Sequence, residues 1–247
     1  MNIDKLRQSR NPAQRLVFPL DVPSAQAALD LAYNLSGLVG FFKIGLELYL
    51  SEGPSIVKAI RAKAPGSGIF LDLKLHDIPA TVSQAIKSIG SLEPDLITIH
   101  AQGGLEMMET AVKAAPPETT VLAVTVLTSL EPAKLDELGS EYRRPGLYAA
   151  RLAHRALSAG CHGLVASGQE VYDLRSRFGA KPLLVIPGIR PDWANVVSDD
   201  QKRVESVGNA LRGGADLLVI GRPIRQADNP SEAARKILAE IASTLNL

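Results

Sequence analysis

The sequence predicts an α/β fold of the (β/α)8 TIM-barrel class. Eight short runs rich in Val, Ile and Leu alternate with stretches of helical periodicity, the pattern of a parallel sheet buried on both faces. The length of 247 residues suits one such barrel, since these folds run to about 250 residues. Charged and hydroxyl side chains gather at the carboxyl ends of the runs, where barrels of this class carry their chemistry. An open doubly wound sheet is the second architecture the alternation allows. No linker or low-complexity segment divides residues 1–247, so a single barrel domain with a short helical N-terminal extension is expected.

Strand one is Leu16–Asp21, interrupted by Pro19, which cannot donate to a sheet ladder. Ser24 caps a helix through Leu35 that sets Ala27, Ala28, Leu31 and Leu35 on one face. Strand two is Val39–Ile44, with Lys43 near its end, and Pro54 opens a helix through Ile56, Val57 and Ile60. Strand three, Ile69–Leu73, runs into Lys74-Leu-His-Asp77, and Pro79 then starts a helix whose apolar face is Val82, Ala85, Ile86 and Ile89. Strand four is Leu96–Ile99, closed by His100 and followed by a helix using Leu105, Met108, Ala111 and Val112.

Strand five spans Thr120–Leu127 and ends at Thr128-Ser129. A connection over 131–144 leads to a helix from Leu147 to Ser158. Strand six is Gly163–Ala166, and strand seven is Leu183–Ile186, which ends in Pro187-Gly-Ile-Arg190. A polar loop over 191–203 precedes a helix over 204–211. Strand eight, Leu217–Ile220, ends in Gly221-Arg222, and Asn229-Pro230 starts the last helix, with Ala234, Ile237, Leu238 and Ile241 inward. A weak internal echo supports repeating βα units: residues 157–165 and 211–219 both read as a helix stopped by glycine before a buried strand.

Composition narrows the class of function. With 46% hydrophobic and 21% charged residues the chain is an ordinary globular protein, and a net charge of +1 gives no field favouring nucleic acid or membranes. No apolar run approaches the roughly 18 residues of a membrane span. Met1–Arg10 lacks the apolar core of a signal peptide, and Cys161, the one cysteine, excludes an intramolecular disulfide, so a cytoplasmic location is expected.

The stretch Ile69–Thr81 carries the sharpest signal. Residues two apart on a strand share a face, so Asp72 and Lys74 project side by side at a burial-prone strand end. Such charges must satisfy each other or a ligand. A lone D-x-K is more often a structural ion pair, but Asp21 and Lys43 bring charges of both signs to the same rim from strands one and two. Strands seven and eight add a second signal. Pro187-Gly-Ile-Arg190 and Gly221-Arg222 place small residues and arginines where barrels commonly bind phosphate, glycine letting backbone amides approach and arginine offering a bidentate partner. His76 and His100 near the rim read as structural hydrogen-bonders. His154 and His162 have no metal-ligand spacing, Cys161 reads as a packing residue, Arg143-Arg144 as a solvated helix entry, and Trp193 as an anchor for its loop.

Phe70-Leu-Asp-Leu-Lys-Leu-His-Asp-Ile-Pro79 with Thr81 resembles the signature of the orotidine 5′-phosphate decarboxylases. Phe42-Lys-Ile-Gly45, Leu127-Thr-Ser129, Pro187-Gly-Ile-Arg190 and Val219-Ile-Gly-Arg-Pro223 resemble that family's other segments in the same order. The resemblance implies a homodimeric barrel that converts orotidine 5′-phosphate to UMP and CO₂ without metal or organic cofactor. It further implies that Lys43, Asp72 and Lys74 come from one subunit, while Asp77, Ile78 and Thr81 reach the partner's site. Asp21 and Lys43 would contact ribose, Thr128 the region of the pyrimidine, and Arg190, Gln201, Gly221 and Arg222 the phosphate, under a loop at 191–203. The rival is another sugar-phosphate decarboxylase or aldolase of the same barrel group, such as a 3-keto-gulonate-6-phosphate decarboxylase. Those enzymes use a metal-bound enediolate and need a carboxylate near strand two, where Lys43 stands instead. A non-catalytic phosphate-binding barrel would keep Arg190 and Arg222 but not the charge array.

Overall fold

The computed structural model describes residues 3–130, 132–137, 141–142, 144–194 and 203–247. Eight strands close into a barrel in sequence order: β1 (Leu16–Pro19), β2 (Phe41–Gly45), β3 (Gly68–Leu75), β4 (Leu96–His100), β5 (Thr120–Val124), β6 (Gly163–Val165), β7 (Leu183–Ile186) and β8 (Leu217–Val219). Every neighbouring pair is parallel, including β8 with β1. The expected (β/α)8 architecture is therefore present.

Strand alternation builds two apolar layers. Val17, Phe41, Phe70, Leu96, Leu122, Leu183, Val185, Leu217 and Val219 fill the barrel interior. The residues one step along, such as Phe18, Phe42, Leu71, Ile97, Ala123, Leu184 and Leu218, pack outward against the helices. Phe18 and Phe42 meet edge to face, with centroids 6.4 Å apart. The same alternation continues upward, so the inward positions beyond the apolar layer are Lys43, Asp72 and Thr98. The polar floor of the cleft is set by register.

Pro19 fits because of where β8 stops. The β1–β8 pairing ends at Val17↔Val219, so on that side Pro19 has no ladder bond to give up. The next donor, Leu20 N–H, faces β2 and reaches Lys43 O at 2.8 Å.

The amino-terminal helix Ile3–Gln8 closes the barrel floor, adding Leu6 to the interior cluster. Burying such a side chain contributes about 2 kcal/mol. Asp216, at the entry to β8, accepts from Arg7 Nε at 2.7 Å, Arg175 Nη2 at 2.8 Å and Leu184 N–H at 2.8 Å. Asp216 is buried, and both arginines also donate to Pro182 O. Asp216→Ala leaves two converging guanidiniums and a buried amide without their shared acceptor. Unfolding stability should fall by about 2–4 kcal/mol, read from urea midpoints; an unchanged midpoint would refute the clamp.

Several boundaries differ from expectation for local reasons. A helix over Leu46–Glu52 follows β2 directly, starting at Gly45, and another, Pro132–Glu137, lies within the long connection. β5 stops at Val124 because β6 has only three residues and their ladder ends at Val124↔Val165. The helix expected from residue 204 starts at Val207, where Ser206 accepts from Asn209 N–H. In the helix Leu105–Ala114 it is Met107, Met108 and Ala111 that are buried, while Leu105 faces out. The echo is real in backbone terms: Gly160 (φ 88) and Gly214 (φ 101) both take left-handed turns before β6 and β8. No described helix is long and apolar enough to cross a membrane.

Candidate active site at the carboxyl-terminal mouth

A cleft of about 580 Å³ opens at the carboxyl ends of the strands, lined by Asp21, Lys43, Asp72, Lys74, Thr128, Ser129, Arg190, Gly221 and Arg222 among others. The charge array at its floor is contiguous. Lys74 Nζ lies 2.8 Å from Asp72 Oδ2, Lys43 Nζ lies 3.3 Å from the same oxygen, and Lys43 Nζ is 3.1 Å from Asp21 Oδ1. Asp72 is buried, so its charge is sustained by these two ammonium groups rather than by water.

The electrostatics follow. Burial pushes the Asp72 carboxyl up, but Lys43, Lys74 and Thr98 together outweigh it and hold the group below the usual carboxylate range. Burial likewise works against the Lys43 ammonium, yet Asp72 and Asp21 raise its affinity for the proton above that of an ordinary lysine. The pair is thus fixed as a carboxylate and an ammonium.

Asp72 and Lys74 share the cleft as alternation predicts, but the strand between them is not regular. The β3–β4 register passes from Leu71↔Ile97 to Leu75↔Ile99, four steps along β3 against two along β4. Lys74 itself adopts φ 48°, a left-handed conformation that L residues rarely take. The bulge aims Lys74 at Asp72 from a strained backbone.

Close packing shapes the other side. A Cβ on Gly221 would lie 2.7 Å from Pro19 Cγ, and one on Gly45 would lie 3.2 Å from Lys43 Nζ and 3.3 Å from Asp21 Oδ1. Glycine at these positions lets β1, β2 and β8 converge on the cleft. Arg190 donates to Ile189 O at 2.9 Å, and the base of the following loop is tied by Arg190 N–H to Glu205 O and Glu205 N–H to Gly188 O.

Asp77, Ile78 and Thr81 are not joined to the array within one chain. All three are exposed, and Asp77 Oδ1 accepts from Ile78 N–H at the start of the helix Pro79–Gly90. Gln201 lies outside the described residues, as does Arg143. Trp193 is half-exposed, with the Lys236 ammonium 5.6 Å above its ring. The His76 and His100 rings lie 5.4 Å apart, tilted by 39°, and burial, followed by the nearby His76 and Lys74 charges, lowers the His100 pKa. His162 accepts from Val121 N–H through Nδ1. The buried Cys161 thiol is pushed up to about 12 by burial, as suits a packing residue. Among the described residues no group of three or more His, Cys, Asp or Glu could hold a metal ion.

A family model described as the orotidine 5′-phosphate decarboxylase / HUMPS family matches residues 14–237. The chain belongs to that family. The orotidine 5′-phosphate decarboxylase of Anaeromyxobacter sp. (strain K) is 46% identical over 228 residues, covering 92% of this chain and 98% of its own length. The protein of the same name from Thermobifida fusca (strain YX) is 46% identical over 233 residues, 94% of this chain and 97% of its own. Among solved structures, orotidine 5′-phosphate decarboxylase from Lactobacillus acidophilus superposes with a TM-score of 0.78 at 31% identity, covering 92% of this chain and 98% of that one.

Two further groups near this family member's cleft carry no motif in the sequence. Thr98 bonds both Asp72 and the Lys74 backbone, and its inward register on β4 was the available signal. Arg203 pairs with Glu170 in a buried contact beside the Ser167 capping box. Burial keeps the Glu170 pKa raised although Arg203 pulls it down.

Proposed function

We propose that this protein decarboxylates orotidine 5′-phosphate to UMP and CO₂, the carboxy-lyase step of pyrimidine biosynthesis. One observation carries the reading: a buried carboxylate, Asp72, gripped by Lys43 and Lys74 at the floor of a cleft whose opposite wall holds Arg190 and Arg222. Family membership points the same way.

Loss of CO₂ from the pyrimidine ring leaves a carbanion poorly delocalised into the ring, so the barrier lies in stabilising localised negative charge. A fixed array of ammonium and carboxylate groups does this without solvent reorganisation. In this reading Lys74 donates the proton that quenches the carbanion, and Asp72, 2.8 Å from its ammonium, holds it in place. Asp21 and Lys43 contact the ribose, Thr128 lies near the pyrimidine, and Arg190, Gln201, Gly221 and Arg222 hold the phosphate. Binding energy from that remote group orients the base at the reacting centre. The reaction is proposed to need no metal or organic cofactor, and the Lys43 ammonium between Asp21 and Asp72 disfavours a divalent cation beside those carboxylates.

We further propose one barrel domain that acts as a homodimer, with Asp77, Ile78 and Thr81 completing the partner's site. Exposed Leu46, Leu50, Ile78 and Leu105 all follow β2, β3 and β4, giving one sector of the mouth an apolar surface that a second copy would cover. A buried lone cysteine suits a cytoplasmic enzyme.

The test follows the ultraviolet absorbance of orotidine 5′-phosphate with purified protein and EDTA. Turnover undiminished by the chelator is expected. No absorbance change would overturn the activity, and inhibition reversed by magnesium would favour a metal-dependent sugar-phosphate decarboxylase.

A further inference from the structure

The β3 bulge leaves Lys74 N–H without a regular ladder acceptor, and a buried amide without a partner is costly. The acceptor is a side chain from the next strand. Thr98 Oγ1 takes Lys74 N–H at 2.9 Å and donates to Asp72 Oδ1 at 2.9 Å, and Thr98 is 1% exposed. A hydroxyl has one proton to give. With Lys74 N–H occupying a lone pair, that proton is directed at Asp72.

The two oxygens of Asp72 are thereby divided. Oδ1 belongs to Thr98, while Oδ2 faces both Lys43 and Lys74. The terminal torsion of an aspartate is soft, so a carboxylate held only by flexible lysines could turn about its Cβ–Cγ bond. The hydroxyl removes that freedom. It also pins the left-handed backbone of the residue that carries the other ammonium.

We propose that Thr98 is a positioning residue for the decarboxylation, setting the plane of Asp72 and the backbone of Lys74 through one buried hydroxyl. The inference rests on the reading of Asp72 and Lys74 given above. Thr98 faces inward but is buried and does not itself line the cleft, so its effect should fall on the chemical step and not on binding.

The test compares Thr98→Val, which keeps shape but loses both hydrogen bonds, with Thr98→Ser, which restores the hydroxyl. The valine variant should lose about 10- to 100-fold in kcat, while KM and the affinity for UMP stay within about threefold. The serine variant should recover kcat to within about threefold of the parent. A valine variant with parental kcat, a serine variant as slow as valine, or a valine variant unfolded by circular dichroism while serine is normal would each overturn the positioning role. Asp72→Asn run alongside separates the two readings. If it retains parental turnover, the assignment of the charge array fails. If it is inactive while Thr98→Val is unimpaired, only the role of Thr98 fails.

Discussion

Lys74→Ala is expected to lower kcat by about four orders of magnitude or more, with the chain folded and its oligomeric state unchanged. If Lys74 is the proton donor, two effects are lost together. General acid catalysis contributes roughly 10²- to 10⁴-fold, and a preorganised charge facing the developing anion contributes about 10²- to 10³-fold more. The folded state should tolerate the change because the Lys74 side chain is 31% exposed and Asp72 keeps its contacts with Lys43 and Thr98. Alanine must still adopt φ 48°, at a cost of order 1 kcal/mol that the lysine already bears, so the fold stays intact. A variant within tenfold of the parent would refute Lys74 as the proton donor.

A gain of activity is expected from mixing two dead proteins. If Asp77 serves the partner's site, the Lys74→Ala and Asp77→Ala homodimers each hold two defective sites. After subunit exchange each heterodimer holds one doubly defective and one intact site. Random exchange makes about half the dimers mixed, so turnover should rise to about a quarter of the parental level. The geometry behind this is specific. Asp77 is exposed and directs its carboxylate to its own Ile78 amide, away from the array formed by Lys43, Asp72 and Lys74. No recovery, with exchange verified by mass, would place the site within one chain.

Most of the barrel was legible in the sequence because its strands are buried on both faces and its charged residues at the carboxyl ends, Lys43, Asp72 and Lys74, stand out against them. Lys43 and Asp72 could be placed at the rim from period-two alternation, and they meet there. Asp21, Thr128, Arg190, Gly221 and Arg222 line the same cleft. What escaped was local. The bulge at Lys74 has no signature, since nothing in Leu-Lys-Leu-His announces a positive φ; the right neighbour was inferred from a regularity the strand does not have. Thr98 escaped because threonine in a strand is ordinary, and only the hydroxyl's two partners give it meaning. The helix Leu46–Glu52 is hard to read because it follows β2 directly, and Gly45, the last residue of that strand, serves as its N-cap. Glu170 and Arg203 are 33 positions apart, and no periodicity links them.

Among the described residues, the clamp at one mouth of the barrel and the charge array at the other are built from different side chains. Asp216, Arg7 and Arg175 lock one end, and Asp72, Lys43 and Lys74 face the other. Second-site suppressors of damaging rim substitutions should therefore arise at the floor: tighter packing around Leu6 could restore abundance without altering turnover per site. Such a chain can drift in substrate preference while its tolerance to mutation is replenished from the opposite pole.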